Sequence, residues 1–192
     1  MRLIITRHGE TEENRAGIIQ GHLPGVLSDL GKEQANKLAE RLKDEKIDLI
    51  ISSDLDRALD TAKAVREFHP DVDLVLDERL RERFLGKFQG KTVEEIKIPR
   101  GVKFSDFVKV EDGVEDGDVF FNRAKEFVGN VLERTEENIL LVGHDGICGA
   151  VIGNLLEGRD SELGLENTSV SEYVFDGEKW NVVKFNCVEH LK

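Results

Sequence analysis

Cysteine and long apolar runs are both scarce in this sequence. The two cysteines, Cys148 and Cys187, form no C-x-x-C pair, which argues against a disulfide scaffold and against a cysteine-based zinc site. The first apolar run is too short for a signal peptide, and no segment approaches the roughly 18 apolar residues that a membrane-spanning helix needs. We therefore expect a soluble, cytoplasmic protein with no membrane partner.

Positive charge is also in deficit. Lysine and arginine together number 27 against 39 aspartates and glutamates, which gives a formal net charge of -12. Such a charge repels phosphate backbones, so a nucleic-acid partner is disfavoured. A small phosphorylated metabolite remains a suitable partner if cations cluster locally. The oligomeric state is left open, although an exposed strand edge near the end of the chain would suit a homodimer.

Four segments share one pattern, in which a short β-branched run ends in polar residues and a helical pattern usually follows. They are RLIITRHG, IDLIISSDLDRALDTAKAVREF, VDLVLDERLRER and NILLVGHDGICGAVIGNLLEG. Near-continuous apolar runs indicate strands covered on both faces. Their alternation with helices predicts an α/β fold, a three-layer α/β/α sandwich around a mostly parallel sheet. Two alternating runs around Asp176 and Gly177 predict a C-terminal antiparallel hairpin.

The rest of the chain is predicted to contribute two amphipathic helices and one irregular segment to a single domain. The length suits a single domain over residues 1–192. Residues 91–117 have no sustained period, and their mixture of charge, proline and glycine predicts a short helix plus loops that form a lid or insertion. Two helices are predicted from buried stripes: Ala35, Leu38, Ala39 and Leu42 in one, and Phe120, Ala124, Phe127, Val128 and Val131 in the other.

Polar residues with matching chemistry follow the predicted strands. Ligands of open α/β sheets bind outside the carboxyl ends of the strands, where this chain places Arg7, His8, Arg57, Glu82 and His144. An imidazole attacks phosphorus, guanidinium groups stabilise phosphoryl oxygens, and a carboxyl group protonates the leaving alkoxide. The set therefore suits phosphoryl transfer through a covalent intermediate. A zinc site is the competing interpretation, but HExxH spacing is missing and neighbouring arginines repel a dication.

Several ordered blocks resemble branch 1 of the histidine phosphatase superfamily, the phosphoglycerate-mutase-like group. They are RHGETEENRAGIIQG, LSDLGKEQA, SSDLDRALDTA, LRERFLGKFQG, VGHDGICGAVIGNLL and LENTSVS. The resemblance implies these catalytic roles: His8 as phosphorylated nucleophile, Arg7 and Arg57 as phosphate clamps, His144 as the second pocket histidine and Glu82 as proton donor. It also implies phosphate or substrate contacts at Asn14, Gln20 and Gly21. An ion pair with Asp54 or Asp60 is the alternative role for Arg57.

Two positions depart from the family pattern. Asp145 follows the second histidine, where the family usually has glycine or alanine, and Gly149 stands where many members have arginine. A carboxylate beside the phosphate site opposes anion binding unless it points away or pairs with an arginine, so Asp145 is a candidate phosphate-site residue. We favour the alternative, in which Asp145 caps a helix that starts at Gly146.

The resemblance implies a phosphomonoesterase of the histidine acid phosphatase type. We expect it to hydrolyse a small phosphomonoester through phospho-His8, without metal or organic cofactor. The alternative is a cofactor-dependent phosphoglycerate mutase, and less favoured alternatives are a phosphoprotein phosphatase and an inactive phospho-ligand binding module. Mutases of the family usually carry a larger basic insertion, whereas acidic neighbours offset Lys97, Arg100, Lys103 and Lys109 here.

Overall fold

A six-stranded sheet forms the centre of the computed structural model, which describes residues 1–102, 107–158 and 163–192. Its strands are β1 (Arg2–Arg7), β2 (Leu49–Ser52), β3 (Asp73–Leu76), β4 (Asn138–Gly143), β5 (Val170–Phe175) and β6 (Trp180–Cys187). Their order is β3-β2-β4-β1-β5-β6. The first four are parallel, whereas β5 and β6 are antiparallel to their neighbours. The predicted mostly parallel sheet with a C-terminal hairpin is confirmed.

Helices cover both faces of the sheet. The helices with bounds in the described part of the chain are α1 (Glu12–Arg15), α2 (Asp29–Leu42), α3 (Asp56–Arg66), α4 (Val93–Ile96), α5 (Gly117–Leu132) and α6 (Asp145–Leu155). Short 3-10 turns occur at Glu78–Leu80, Gly86–Phe88, Val110–Asp112 and Glu189–Leu191. Buried residues of α2 and α3 pack on one face of the sheet, and those of α5 and α6 pack on the other. This arrangement is the predicted three-layer sandwich.

The two predicted helical stripes are the buried faces of α2 and α5. The side chain of Ser28 accepts the N–H of Gly31 at the start of α2, and Asp116 caps α5 in the same way. All nine stripe residues are buried. Because burying a leucine side chain stabilises a fold by roughly 1.5–3 kcal/mol, these stripes hold the helices on the sheet. Leu38→Ala is expected to cost about 2–5 kcal/mol, since Leu38 is fully buried.

Residues 91–117 form α4, a 3-10 turn and connecting loops in their described part. Phe88, Val108 and Val114 form a small apolar cluster that is separate from the main core, with Leu85 and Ile96 packed against it. Lys103 belongs to residues 103–106, which lie outside the described residues. The lid role of residues 91–117 and the single-domain organisation stay predictions. No helix in the described part of the chain is long and apolar enough to cross a membrane.

The register of the sheet brings three strand ends together. Arg7 at the end of β1 lies opposite Gly143 of β4, and Ser52 at the end of β2 lies opposite Val142. Because these strands are parallel neighbours, the residues that follow them leave the sheet at one edge. His8, Ser53 and His144 therefore meet at the carboxyl edge.

Candidate active site

A cavity of about 510 Å³ lies over the carboxyl edge of the sheet. Its volume falls in the usual range for sites that bind small molecules. Eight of the predicted site residues line it: Arg7, His8, Asn14, Gln20, Gly21, Arg57, Glu82 and Asp145. His144 does not line the cavity; it is 1% exposed. The structure thus brings together residues from many parts of the chain, with His144 buried at their base.

His8 is held with one ring nitrogen available as an acceptor. Its Nδ1 lies 2.7 Å from the carbonyl oxygen of Gly9, so Nδ1 carries the proton and donates it there. The other nitrogen, Nε2, accepts a hydrogen bond from Nε of Arg57 at 3.2 Å. Burial, reinforced by the charges of Arg57 and Arg7, lowers the pKa of His8 well below its ordinary value of 6.5. The ring is therefore neutral at neutral pH, with the Nε2 lone pair intact.

His144 lies beside His8, with the ring centroids 5.1 Å apart. Its Nδ1 accepts a hydrogen bond from the same Nε of Arg57 at 3.1 Å. The remaining nitrogen, Nε2, must then carry the proton, which it donates to Oγ of Ser53 at 2.9 Å. Burial and then Arg57 lower the pKa of His144 well below its ordinary value. One guanidinium N–H thus orients both imidazole rings.

Arg57 occupies a fully buried position at the start of α3. Its Nη atoms donate to the carbonyl oxygens of a single loop: Gly21 at 2.8 Å, Leu23 at 2.5 Å and Pro24 at 3.2 Å. Burial lowers the pKa of Arg57 to about 10, although the charges of Glu82 and Glu13 act in the opposite direction. The guanidinium is therefore still charged at neutral pH.

The alternative ion pairs of Arg57 are not formed. Asp54 instead binds Arg81, with 2.8 Å between Oδ1 and Nε, and Asp60 binds Lys63 at 2.9 Å. Both predicted acceptors are therefore occupied by other cations. This distribution leaves the Arg57 side chain directed into the site.

Arg7 and Asn14 both line the cavity. Nη1 of Arg7 donates to the carbonyl oxygen of Leu165 at 2.6 Å, while its buried Nε has no partner among the described residues. The Oδ1 atom of Asn14 accepts the N–H of Thr11 at 3.2 Å, which completes the capping box of α1. The amide nitrogen of Asn14 is then the part of the side chain that suits an anionic ligand.

Gln20 and Gly21 belong to the loop that Arg57 holds. Gly21 has a φ of 53°, and a Cβ atom there would lie 2.1 Å from Oε1 of Gln89. That same oxygen accepts the N–H of His22 at 2.8 Å. The ring of His22 donates to the carbonyl oxygen of Glu82 at 2.7 Å. The loop is thereby fixed to the segment that carries the predicted proton donor.

The carboxyl group of Glu82 accepts hydrogen bonds from two backbone N–H groups. Its Oε2 accepts the N–H of Gly146 at 3.0 Å, and its Oε1 accepts the N–H of Arg83 at 2.8 Å. A Cβ atom at Gly146 would lie 2.5 Å from Oε1 of Glu82. Glycine at this position therefore allows Glu82 to approach the start of α6.

Sequence reasoning did not identify Arg123 of α5, which supports the turn before Glu82. Its guanidinium donates to the backbone oxygens of Arg79, Arg81 and Glu82, the last at 3.0 Å. It also pairs with Glu115, with 2.7 Å between Nε and Oε1. In the sequence, Arg123 is only a charged residue in a helical pattern, and no local signal marks this role.

The predicted helix cap at Asp145 is wrong. The helix α6 begins at Asp145 itself, its N-cap is His144, and no side chain caps it. Because the helix starts one residue earlier than predicted, the Asp145 side chain leaves the first turn and accepts the N–H of Leu165 at 2.8 Å. It also lines the cavity. The second departure from the family pattern, Gly149, is buried within α6.

Apolar side chains that sequence reasoning did not assign to the site form much of the cavity. Phe120 was predicted to be a core residue, which it is, yet it also lines the cavity. From the described part of residues 91–117, only Gly117 is among the lining residues. The apolar lining residues are Ile18, Ile19, Leu85, Phe120 and Phe121.

The mixed sheet with buried histidines and arginines at its carboxyl edge belongs to the phosphoglycerate-mutase-like class of α/β proteins. The family model for the histidine phosphatase superfamily (branch 1) matches residues 3–188. The chain therefore belongs to branch 1 of the histidine phosphatase superfamily.

Similar proteins include both mutase-like proteins and phosphatases. Phosphoglycerate mutase-like protein 4 of Arabidopsis thaliana is 36% identical over 199 residues, which cover 99% of this chain and 86% of that protein. A metal-independent phosphoserine phosphatase of the same plant is 32% identical over 199 residues, 98% of this chain and 82% of that protein. The solved structure of mycobacterial glucosyl-3-phosphoglycerate phosphatase with VO3 has a TM-score of 0.84 and 30% identity, and the match covers 97% of this chain and 99% of that one. The predicted family and fold are confirmed, and the comparisons support a phosphatase-type enzyme.

Proposed function

We propose that this protein is a metal-independent phosphatase that hydrolyses small phosphomonoesters through a phosphohistidine on His8. The hydrogen bond from Nδ1 of His8 to the carbonyl oxygen of Gly9 carries this proposal, because it leaves Nε2 as the nucleophilic atom. The lowered pKa keeps that atom unprotonated at neutral pH. His8 also lines a cavity large enough for a small ester and its leaving group.

In the first step, Nε2 of His8 attacks phosphorus and the bond from phosphorus to the ester oxygen breaks. Glu82 gives its proton to the departing oxygen, which leaves as an alcohol. The guanidinium groups of Arg7 and Arg57, both of which line the cavity, are the donors proposed for the phosphoryl oxygens. When a phosphoryl group enters, the N–H of Arg57 turns from the histidines to the more negative oxygen.

In the second step, water attacks the phosphohistidine. The Glu82 carboxylate takes a proton from that water, the N–P bond breaks, and inorganic phosphate leaves. His8 returns to its neutral form with the lone pair on Nε2. Both nitrogens of His144 are engaged by Ser53 and Arg57, so His144 contributes to orientation. The proposed reaction needs no metal because protein groups supply both the nucleophile and the positive charge.

The proposed substrate is a small phosphorylated metabolite in the cytoplasm. Relatives named as phosphoserine and glucosyl-3-phosphoglycerate phosphatases support that class. Phosphoglycerate mutase activity is the second candidate, because a relative with 36% identity is named mutase-like. A mutase returns the phosphoryl group to a bound acid, whereas a phosphatase transfers it to water.

Phosphate release from p-nitrophenyl phosphate, measured with and without a chelator, tests the proposal. We expect turnover in both conditions and a loss of at least about a thousandfold in His8→Ala. His69→Ala is the matched control, since His69 contacts the Leu42 carbonyl oxygen and does not line the cavity. Activity that persists in His8→Ala would refute the phosphohistidine, and loss only with chelator would restore the metal hypothesis. Interconversion of 2- and 3-phosphoglycerate would favour the mutase.

A further inference from the structure

The peptide bond between Glu82 and Arg83 binds the carboxyl group of the proposed proton donor. Its N–H, which belongs to Arg83, donates to Oε1 of Glu82 at 2.8 Å. Its carbonyl oxygen, which belongs to Glu82, accepts Nε2 of His22 at 2.7 Å and Nη2 of Arg123 at 3.0 Å. The orientation of this one peptide plane therefore sets the direction of an N–H that holds the carboxyl group.

Two donors restrain that plane from the side opposite to its N–H. A carbonyl oxygen has two lone pairs and prefers donors that lie near the plane of the C=O group. Because a carbonyl group donates nothing, Nε2 of His22 carries the ring proton. Arg123 reaches the oxygen from helix α5, whereas His22 reaches it from a loop. Removing one of these donors leaves the plane with a single restraint on its carbonyl.

His22 belongs to the loop that Arg57 binds. The carbonyl groups of the residues on either side of it, Gly21 and Leu23, accept the Nη atoms of Arg57. The ring of His22 meets the ring of Phe84 edge to face, with 5.2 Å between the centroids. The imidazole is therefore held in place by its neighbours while its Nε2 binds the proton-donor segment.

We propose that His22 is a positioning residue for Glu82 and acts through the peptide bond between Glu82 and Arg83. The inference rests on the proposed function, in which Glu82 protonates the leaving group. It assigns a role to a histidine that does not itself line the cavity. It also connects two parts of the reaction, since the loop bound to Arg57 then orients the proton donor.

Substitutions at His22 separate the donor from the side chain that carries it. His22→Ala removes the donor, whereas His22→Gln keeps an N–H donor on a side chain of similar length. His69→Ala is the matched control. His69 is also half-buried, and its Nε2 lies 3.1 Å from the carbonyl oxygen of Leu42, away from the cavity. A double variant, His22→Ala with Glu82→Gln, tests whether the two residues act as a unit.

Steady-state kinetics compare benzyl phosphate, whose leaving group is an alkoxide, with p-nitrophenyl phosphate, which has a ring of similar size. We expect His22→Ala to lower kcat for benzyl phosphate by about tenfold, as a misplaced catalytic group does. Its kcat for p-nitrophenyl phosphate should stay within about threefold, because p-nitrophenolate leaves without protonation. His22→Gln and His69→Ala should stay within about threefold of the wild type for both esters. In the Glu82→Gln background, His22→Ala should cost less than about twofold more, because residues that act as a unit are not additive.

Hydrogen exchange at two amides reports the position of the Glu82 carboxyl group without turnover. The N–H groups of Arg83 and Gly146 both donate to it. Gly146 lies in the first turn of α6, where N–H groups have no partner within the helix, so its protection depends on Glu82. Both amides should exchange several-fold faster in His22→Ala than in the wild type. They should keep their wild-type rates in His22→Gln and His69→Ala.

A loss confined to benzyl phosphate, together with faster exchange at both amides, supports the proposal. Equal losses with both esters would overturn it, since general damage to the site would explain them. Losses that multiply in the double variant would also overturn it, because His22 would then act through another group. The same holds if His22→Gln is as slow as His22→Ala. If the wild-type protein hydrolyses neither ester, the proposed function fails, while the exchange rates still decide whether His22 holds the Glu82 carboxyl group.

Discussion

Two regions of the cavity are built in contrasting ways. The phosphate floor, which we define as Arg7, His8, Arg57 and Glu82, is held by hydrogen bonds to both backbone and side chains. The apolar wall lines the cavity with hydrophobic side chains. We define it as Ile18, Ile19, Leu85, Phe120 and Phe121. Directional bonds fix individual atoms, whereas apolar contacts fix only shape. Under the proposed function, the floor would determine the reaction and the wall would determine which leaving group is accepted.

Glu82→Gln should give the largest change and test the floor directly. We expect turnover of alkyl phosphates to fall by about 100- to 10,000-fold, because the leaving alkoxide loses its proton donor. Turnover of p-nitrophenyl phosphate should fall much less, since p-nitrophenolate leaves without protonation. Steady-state kinetics with both substrates measure the difference. Equal losses would show that Glu82 is not the acid.

The two buried histidines of the site predict how stability depends on pH. In the folded protein the pKa values of His8 and His144 lie well below 6.5, whereas in the unfolded chain they are ordinary. As pH falls below 6.5, the unfolded state binds protons that the folded state does not bind. The free energy of unfolding should therefore decrease by about 1.4 kcal/mol per pH unit for each histidine.

Urea unfolding between about pH 7.5 and 5.5, the range in which histidine ordinarily titrates, measures this slope. His22 and His190, whose pKa values burial also lowers, contribute in the same direction. His8→Gln removes one titrating group and should make the slope shallower, by an amount that approaches about 1.4 kcal/mol per pH unit at the acidic end of the range. An unchanged slope would contradict a neutral, buried His8.

Gly146→Ala should reproduce a weaker form of the Glu82 effect. The added methyl group would lie 2.5 Å from Oε1 of Glu82, and the flexible side chain would move away from the cavity. We expect about a tenfold loss with alkyl phosphates and a smaller loss with p-nitrophenyl phosphate, as displaced catalytic groups show. Gly129→Ala is the control within a helix, since its added methyl group would have no described atom within 4 Å beyond its chain neighbours and the backbone of its own helix. Identical kinetics in both variants would contradict this account of Gly146.

Phe121→Ala should have the smallest effect and should act on binding. Removing this ring from the wall is expected to raise KM several-fold for esters with apolar leaving groups. That change corresponds to a loss of about 1 kcal/mol of binding free energy from the missing apolar contact. kcat for p-nitrophenyl phosphate should stay within about threefold, because no floor residue is changed. Phe68→Ala offers a matched control on the surface, since Phe68 is 47% exposed and lies outside the cavity. A large fall in kcat would contradict the division of the cavity into a wall that binds the leaving group and a floor that carries out the reaction.

The sequence was sufficient for features that depend on local pattern. The stripe around Leu38 and the polar residues after each strand follow from periodicity and strand direction, and the structure places them as expected. Arg123 and Leu165 could not be predicted, because their roles arise from contacts with residues more than 40 positions away. Asp145 was misassigned because a shift of one residue in the start of α6 redirects its side chain. The site roles themselves remain predictions until the variants are measured.

The pairing of β1 with β4 has a consequence for how the enzyme acquires activity. Arg2–Arg7 lies beside Asn138–Gly143, so the central pair of the sheet joins segments separated by more than 130 residues. Such long-range pairing is slow, because a large loop must close before any contact forms. A ribosome has released β1 long before it makes β4, and His8 has no neighbouring His144 until that pairing occurs. Catalytic turnover would therefore report on the pairing of β1 with β4, and partly synthesised chains that lack β4 should carry His8 without the reaction.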